Sequence, residues 1–249
     1  MNMIAGRVIS AAGLLLALGG SARAFDVTSC SQTVPHGQTG MLTGDLDCHL
    51  DSADSAILLD RGAKLNLNGF TVTGGGHGLP AVQCNGPCKV NGPGTITGGG
   101  SGIMALAGPG GSPVTAKNVS ISNCTSGDGI VGSRIVVKGG SITGCFRDGV
   151  AAIRSATIKD ANISGNGRRG ASGQLVSVRN SQILNNGAGG VAASRVLRAT
   201  GSVITGNGAQ CPGDWLPVQC VDVSGLPDVF GAKVVLHHTT CLTPARYCQ

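Results

Sequence analysis

Aromatic side chains make up 2% of this 249-residue chain, and beyond its first two dozen residues no stretch stays apolar for long. The first scarcity excludes a core filled by large rings, and it removes the aromatic platforms on which sugar clefts often stack their ligands. The second excludes a later transmembrane helix, which needs about 20 consecutive apolar residues. Charge is also sparse, at 12% of residues, with a formal excess of +6. Basicity that mild does not point to a nucleic-acid partner.

What the chain does have is 43 glycines and an apolar content of 41% drawn mainly from Val, Ile, Leu and Ala. Such a recipe favours many short strands joined by many corners. Arg7 precedes an apolar run from Val8 to Leu18, and Ala22-Arg23-Ala24 supplies small residues for cleavage. Residues 1–24 therefore read as a signal peptide cut after Ala24 and play no part in the fold. The mature chain is expected to be secreted or periplasmic, and losing Arg7 and Arg23 lowers its formal charge by two, from +6 to +4.

All ten cysteines, Cys30, Cys48, Cys84, Cys88, Cys124, Cys145, Cys211, Cys220, Cys241 and Cys248, follow that cleavage point. An even count in an exported chain argues for structural disulfides. "CNGPC" at Cys84 to Cys88 is not accompanied by a second spaced Cys/His pair, so no metal site is expected.

Internal repeats organise the rest. Short segments such as "FTVTG", "GTITG", "GSITG" and "SVITG" align on Val72, Ile96, Ile121, Ile142, Ile163, Ile183 and Ile204, at intervals of 24, 25, 21, 21, 20 and 21 residues. Each segment reads as a strand with one inward apolar side chain. Repeats this short, punctuated by Gly and Asn, leave no room for paired helices, so each repeat is expected to be one coil of stacked strands. Strands in successive coils lie about 4.8 Å apart, and every aligned position becomes a column along the long axis.

Several columns follow. Cys124, Cys145, Asn166, Asn186 and Asn207 come three residues after the apolar position, predicting an asparagine ladder begun by cysteines and a Cys124–Cys145 bridge. Gly78, Gly102, Gly129, Gly149, Gly170 and Gly190 align at a corner, preceded by His77, Ser101, Asp128, Asp148, Arg169 and Gly189. Four residues before the apolar position stand Lys117, Lys138, Lys159 and Arg179. Thr71/Thr73, Thr95/Thr97, Ser120/Ser122 and Ser141/Thr143 flank it as a flat hydroxyl array.

With "LDCHLDSADSAILLDRGAKLNLNGFTVTGGG" at residues 46–76 and the repeats of 118–207, the chain resembles secreted bacterial right-handed parallel β-helix repeat proteins of the pectate-lyase-like superfold. The resemblance implies an all-β, right-handed parallel β-helix with three short strands per coil and disulfide-stapled ends. Residues 25–56 would form the N-terminal cap, 57–210 the coils and 211–249 a disulfide-rich C-terminal cap. Local pairs Cys30–Cys48, Cys211–Cys220 and Cys241–Cys248 would hold those caps in place.

The superfold includes polysaccharide lyases, polygalacturonases, epimerases and proteins without known activity, so function has to be argued from residues. "GHG" at Gly76 to Gly78 matches the Gly-His-Gly of polygalacturonases, but the chain has neither their Asn-Thr-Asp nor their adjacent Asp-Asp. Lys117, Lys138, Lys159 and Arg179 form a candidate ligand-binding track for an extracellular polysaccharide, an acidic one best matching their charge. This reading makes the protein a monomeric binding module without a cofactor. Its alternative is a lyase or epimerase acting on a uronate polymer through Asp128, Asp148, Arg147 and Arg169, the one case in which Ca²⁺ would be implied. A second alternative is a structural or ice-binding solenoid built on the hydroxyl array.

Overall fold

The computed structural model describes residues 24–49, 55–75, 78–105, 111–207 and 233–242. Within them the chain is all β: strands pair in parallel, coil on coil, into a solenoid of about eight turns, and no helix is present among the described residues. Each coil contributes to three ladders. One carries Gln32–Val34, Ile57–Leu59, Val82–Cys84 and Ile103–Met104 and continues through Ile130, Val150, Ala171 and Val191. The next carries Thr39–Leu42, Lys64–Asn66 and Cys88–Asn91 and continues through Val114–Lys117 and Ile135–Lys138. The third carries Leu46–Asp47, Thr71–Gly74 and Thr95–Gly98 and reaches Val203–Thr205.

The apolar column lies in the third ladder, with Val72, Ile96, Ile121, Ile142, Ile163, Ile183 and Ile204 in direct register and each at most 2% exposed. Leu46 extends it by one rung. Ladders also begin at Phe25, and Lys233–His237 and Thr240–Leu242 add strands after Thr205, so pairing runs beyond residues 57–210 at both ends.

Glycine is needed at the corner for space. A Cβ at Gly149 would stand 2.6 Å from Ile163 Cγ2 and 2.7 Å from the Gly170 carbonyl oxygen, and Gly102, Gly129, Gly170 and Gly190 are equally confined by Ile121, Ile142, Ile183 and Ile204. None of these five has positive φ. The register corrects one member of the column: Val82 pairs with Ile103, so the residue beside Gly102 is Ala81, preceded by Pro80. Gly78 instead sits in a turn at φ +80°, and His77 lies outside the described residues.

The asparagine ladder is present and buried. Asn166, Asn186 and Asn207 are at most 2% exposed, and each amide bridges coils: Asn186 Nδ2 donates to Asn207 Oδ1 at 2.8 Å while its Oδ1 accepts the Asn166 backbone N–H at 3.1 Å. The left-handed residue is the one before the ladder, at Asn123, Gly144, Gly165, Asn185 and Gly206, and the ladder amides themselves keep ordinary φ. The amides cap backbone groups of the preceding coil, and the residue before each amide makes the turn.

Disulfides join Cys30–Cys48, Cys84–Cys88 and Cys124–Cys145. The last joins adjacent coils with Cα atoms 4.2 Å apart, at the head of the asparagine column. Cys211, Cys220 and Cys248 lie outside the described residues, and only the backbone of Cys241 is described, so the proposed Cys211–Cys220 and Cys241–Cys248 pairs fall outside them too.

Candidate functional site

In the second ladder, inward and outward side chains alternate. Val114 and Ala116 are buried while Thr115 and Lys117 face out, and the same alternation recurs at Ile135–Lys138, Ala156–Lys159 and Val176–Arg179. Lys117 pairs with Lys138, Lys138 with Lys159, and Lys159 with Arg179. The four predicted cations are therefore one exposed column with a rung at every strand spacing, about 4.8 Å. Each is followed by a residue in the left-handed region, Asn118, Gly139, Asp160 and Asn180, so the chain bends after each cation, and at Lys159 and Arg179 the strand ends there.

Like charges in such a row cost about 1 kcal/mol per neighbouring pair in water, softened by salt and by flexible stems. Lys159 Nζ lies 3.6 Å from Asp160 Oδ2, and this pair and His49–Asp47 are the ion pairs among the described residues. Lys117, Lys138 and Arg179 have no carboxylate partner among those residues. Three of the four cations of the row are thus uncompensated, and the row sets up a positive field on one side of the solenoid.

Structure enlarges this face. Lys64 and Lys89 pair with each other, and Lys89 pairs with Thr115, which places both lysines in the outward column adjoining Lys117. Arg198 pairs with Ser177 in that same column at the other end. Arg134, two residues before Val136 on the outward side of its strand, adds a further exposed cation. Sequence alignment on the isoleucines missed Lys64 and Lys89 because the corner after this ladder is longer in the early coils, whereas Arg198 keeps the later offset of six residues but follows the uncharged Thr115, Val136, Thr157 and Ser177 in its column and so formed no run. Lys64 precedes Val72 by eight residues and Lys89 precedes Ile96 by seven, whereas Thr115 precedes Ile121 by six.

At its foot the column turns from cations to amides: Lys117 pairs with Asn91, Asn91 with Asn66, and Asn66 with Met41. These residues, with Asn68, Gly92, Pro93 and Asn118, line an open cleft of about 430 Å³. Asn91 Nδ2 donates to Asn66 Oδ1 at 2.9 Å.

Asp128 and Asp148 stack at a different corner. Asp128 accepts the Asp148 backbone N–H on Oδ1 at 2.8 Å, and Asp148 accepts the Arg169 backbone N–H on Oδ1 at 3.1 Å and the Ser172 hydroxyl on Oδ2 at 2.7 Å. The acids cap backbone donors of the next coil, whereas the asparagines cap those of the preceding one. Arg169 meets Asp148 through its main chain. Burial pushes the Asp128 carboxyl above its ordinary value; the Asp148 N–H lowers it, the Asp148 charge raises it, and Arg147 and then Arg168 lower it. The charge of Arg168, which the sequence did not single out, thus acts on Asp128 together with that of Arg147.

Two acids supply few of the oxygens that Ca²⁺ prefers. Three of their four carboxylate oxygens already accept hydrogen bonds, and no third His, Cys, Asp or Glu converges on them among the described residues. Ca²⁺ takes about six to eight oxygens.

A raised pKa in the folded state means that the folded chain binds the Asp128 proton before the unfolded chain does as pH falls. That contribution favours folding at low pH and is lost as pH rises through the folded value. Asp128→Asn retains the acceptor for Asp148 N–H without the charge. Its stability relative to the parent should improve between about pH 3 and about pH 7, followed by urea unfolding. A difference independent of pH would contradict the buried carboxylate.

Beside the apolar column the hydroxyl array is half-buried, with Ser122 Oγ donating to Thr97 Oγ1 at 3.2 Å. The architecture defines a disulfide-bonded parallel β-solenoid with one basic sheet face. Set against protein-family models, curated proteins and solved structures, the chain matches none. Among the described residues no helix is long and apolar enough to cross a membrane.

Proposed function

We propose that the protein is exported and, as a monomer, contacts extracellular or cell-surface polysaccharide through the basic sheet face, preferring acidic polymers. The observation that carries this reading is the register of Lys117, Lys138, Lys159 and Arg179, one exposed cation per coil over four coils. A core or a turn does not require that regularity. An extended polymer with repeated carboxylates would meet one cation after another along the axis. Three disulfides and the apolar leader ending at Ala24 support export.

Charge reversal tests the reading. Lys138→Glu combined with Lys159→Glu should weaken binding of an acidic polysaccharide on the order of 30-fold at low salt, with unchanged circular dichroism. Parent affinity should fall as salt rises and should exceed that for a neutral polymer of similar length. Equal binding by parent and variant would return the row to a solvated face.

A pectate-lyase-like activity on uronate polymers is the second reading, favoured by the half-buried Asp128, its raised carboxyl and the Arg147 and Arg168 charges that act on it. Here the Asp128 carboxylate would take the proton α to the uronate carboxyl, the arginines would oppose the negative charge developing there, and the β C–O bond would break with its sugar oxygen protonated from water. Formation of unsaturated uronate product by the parent, abolished in Asp128→Asn, would establish it; binding without product would leave the binding module.

A further inference from the structure

The geometry points to the cleft at the foot of the basic column as a subsite for the vicinal hydroxyls of a uronate sugar whose carboxylate lies on the neighbouring lysines. This deepens the proposed function and rests on its reading of the basic face. Within the cleft the outward column replaces cations with the amides of Asn91 and Asn66. On those same rungs, two residues away on the outward side, stand Lys89 and Lys64. The line of charge therefore steps sideways from Lys117 to Lys89 and Lys64, and the amides lie along its flank.

The two amides make one hydrogen bond to each other, which engages one Asn91 N–H and Asn66 Oδ1. Asn66 and Asn91 both line the cleft, and the Asn66 N–H groups and Asn91 Oδ1 have no hydrogen-bond partner among the described residues, a mixed donor and acceptor pair matched to hydroxyls, which both give and take hydrogen bonds. A uronate pyranose carries its carboxylate on one edge and its free diol on the other. Cations beside amides complement both edges at once. A polymer with anionic groups and no diol, such as polyphosphate, satisfies the lysines and leaves the amides unmatched.

The test uses the full-length mature protein and two probes of equal length, an oligogalacturonate and the same oligomer with its ring hydroxyls acetylated. The parent should bind the free-diol form about tenfold more tightly. Asn91→Leu should bind the two equally while retaining the parent's unfolding midpoint. The side-chain amide signals of Asn66 and Asn91 should shift in the parent when the free-diol oligomer is added, and stay in place with polyphosphate. Equal binding of the two oligomers by the parent would overturn the diol subsite and leave the basic-face reading standing. Failure of the parent to bind either oligomer at low salt would overturn both.

Discussion

Asn186→Ala should lower stability by about 4 kcal/mol, read as a fall of about 8–16 °C in the unfolding midpoint. Asn186 is 0% exposed and sits at the centre of the amide ladder. Its Oδ1 accepts Asn166 N–H at 3.1 Å and Asn166 Nδ2 at 2.9 Å, while its Nδ2 donates to Asn207 Oδ1 at 2.8 Å and to the Ile163 carbonyl at 3.2 Å. Truncation leaves four partners with a missing bond in a buried column. An unsatisfied buried group costs about 1–3 kcal/mol, and the four losses are not fully additive because neighbours relax. Loss of less than about 1 kcal/mol would mean that water enters the column and that the ladder does not hold successive coils together.

Gly149→Val should be comparably damaging, at about 3 kcal/mol or more, whereas Gly165→Asn should be nearly neutral. The first introduces atoms where Ile163 Cγ2, the Gly170 carbonyl and Asn166 Nδ2 already stand 2.6, 2.7 and 2.9 Å from the Cβ position. All three belong to the core or the ladder, so none can give way cheaply. Gly165 is a different kind of glycine: φ is +63° and nothing lies within 4 Å of its Cβ position. Asn123 and Asn185 hold the same turn position in other coils at φ 54° and 53°, so asparagine adopts it in this fold. Chemical unfolding of both variants decides the matter; equal losses would show that turn conformation, not contact with the isoleucines, selects glycine at the corner.

Of the candidate sites, the basic column was legible and the rest of the basic face was not. Lys117, Lys138, Lys159 and Arg179 all precede their isoleucine by four residues, so counting from the inward column aligned them. Asn91 precedes Ile96 by five and Asn66 precedes Val72 by six, and this drift hid the cleft that continues the column downward. The same drift placed Gly78 where the structure has Ala81, since the chain between Val72 and the next ladder is longer than in later coils. For Asp128 and Asp148 the stacking was foreseeable. Their hydrogen bonds to backbone donors of the following coil were not, because a column position carries no information about which way a carboxylate turns.

By itself the sequence determined the coil repeat, the inward isoleucines, the cation register, the asparagine column and the Cys124–Cys145 bridge. All of these follow from one constraint: a buried side chain at each turn must stack on the buried side chain of the next, which locks everything at constant offset from it. Only the tertiary structure decided which columns lie side by side and which groups bond across coils. Corner lengths vary from coil to coil, and adjacency on the surface depends on the path of those corners, while the strand pattern is indifferent to it. Lys64 and Lys89 therefore join Lys117 on one face, and Asn66 and Asn91 open a cleft beside them, through register alone.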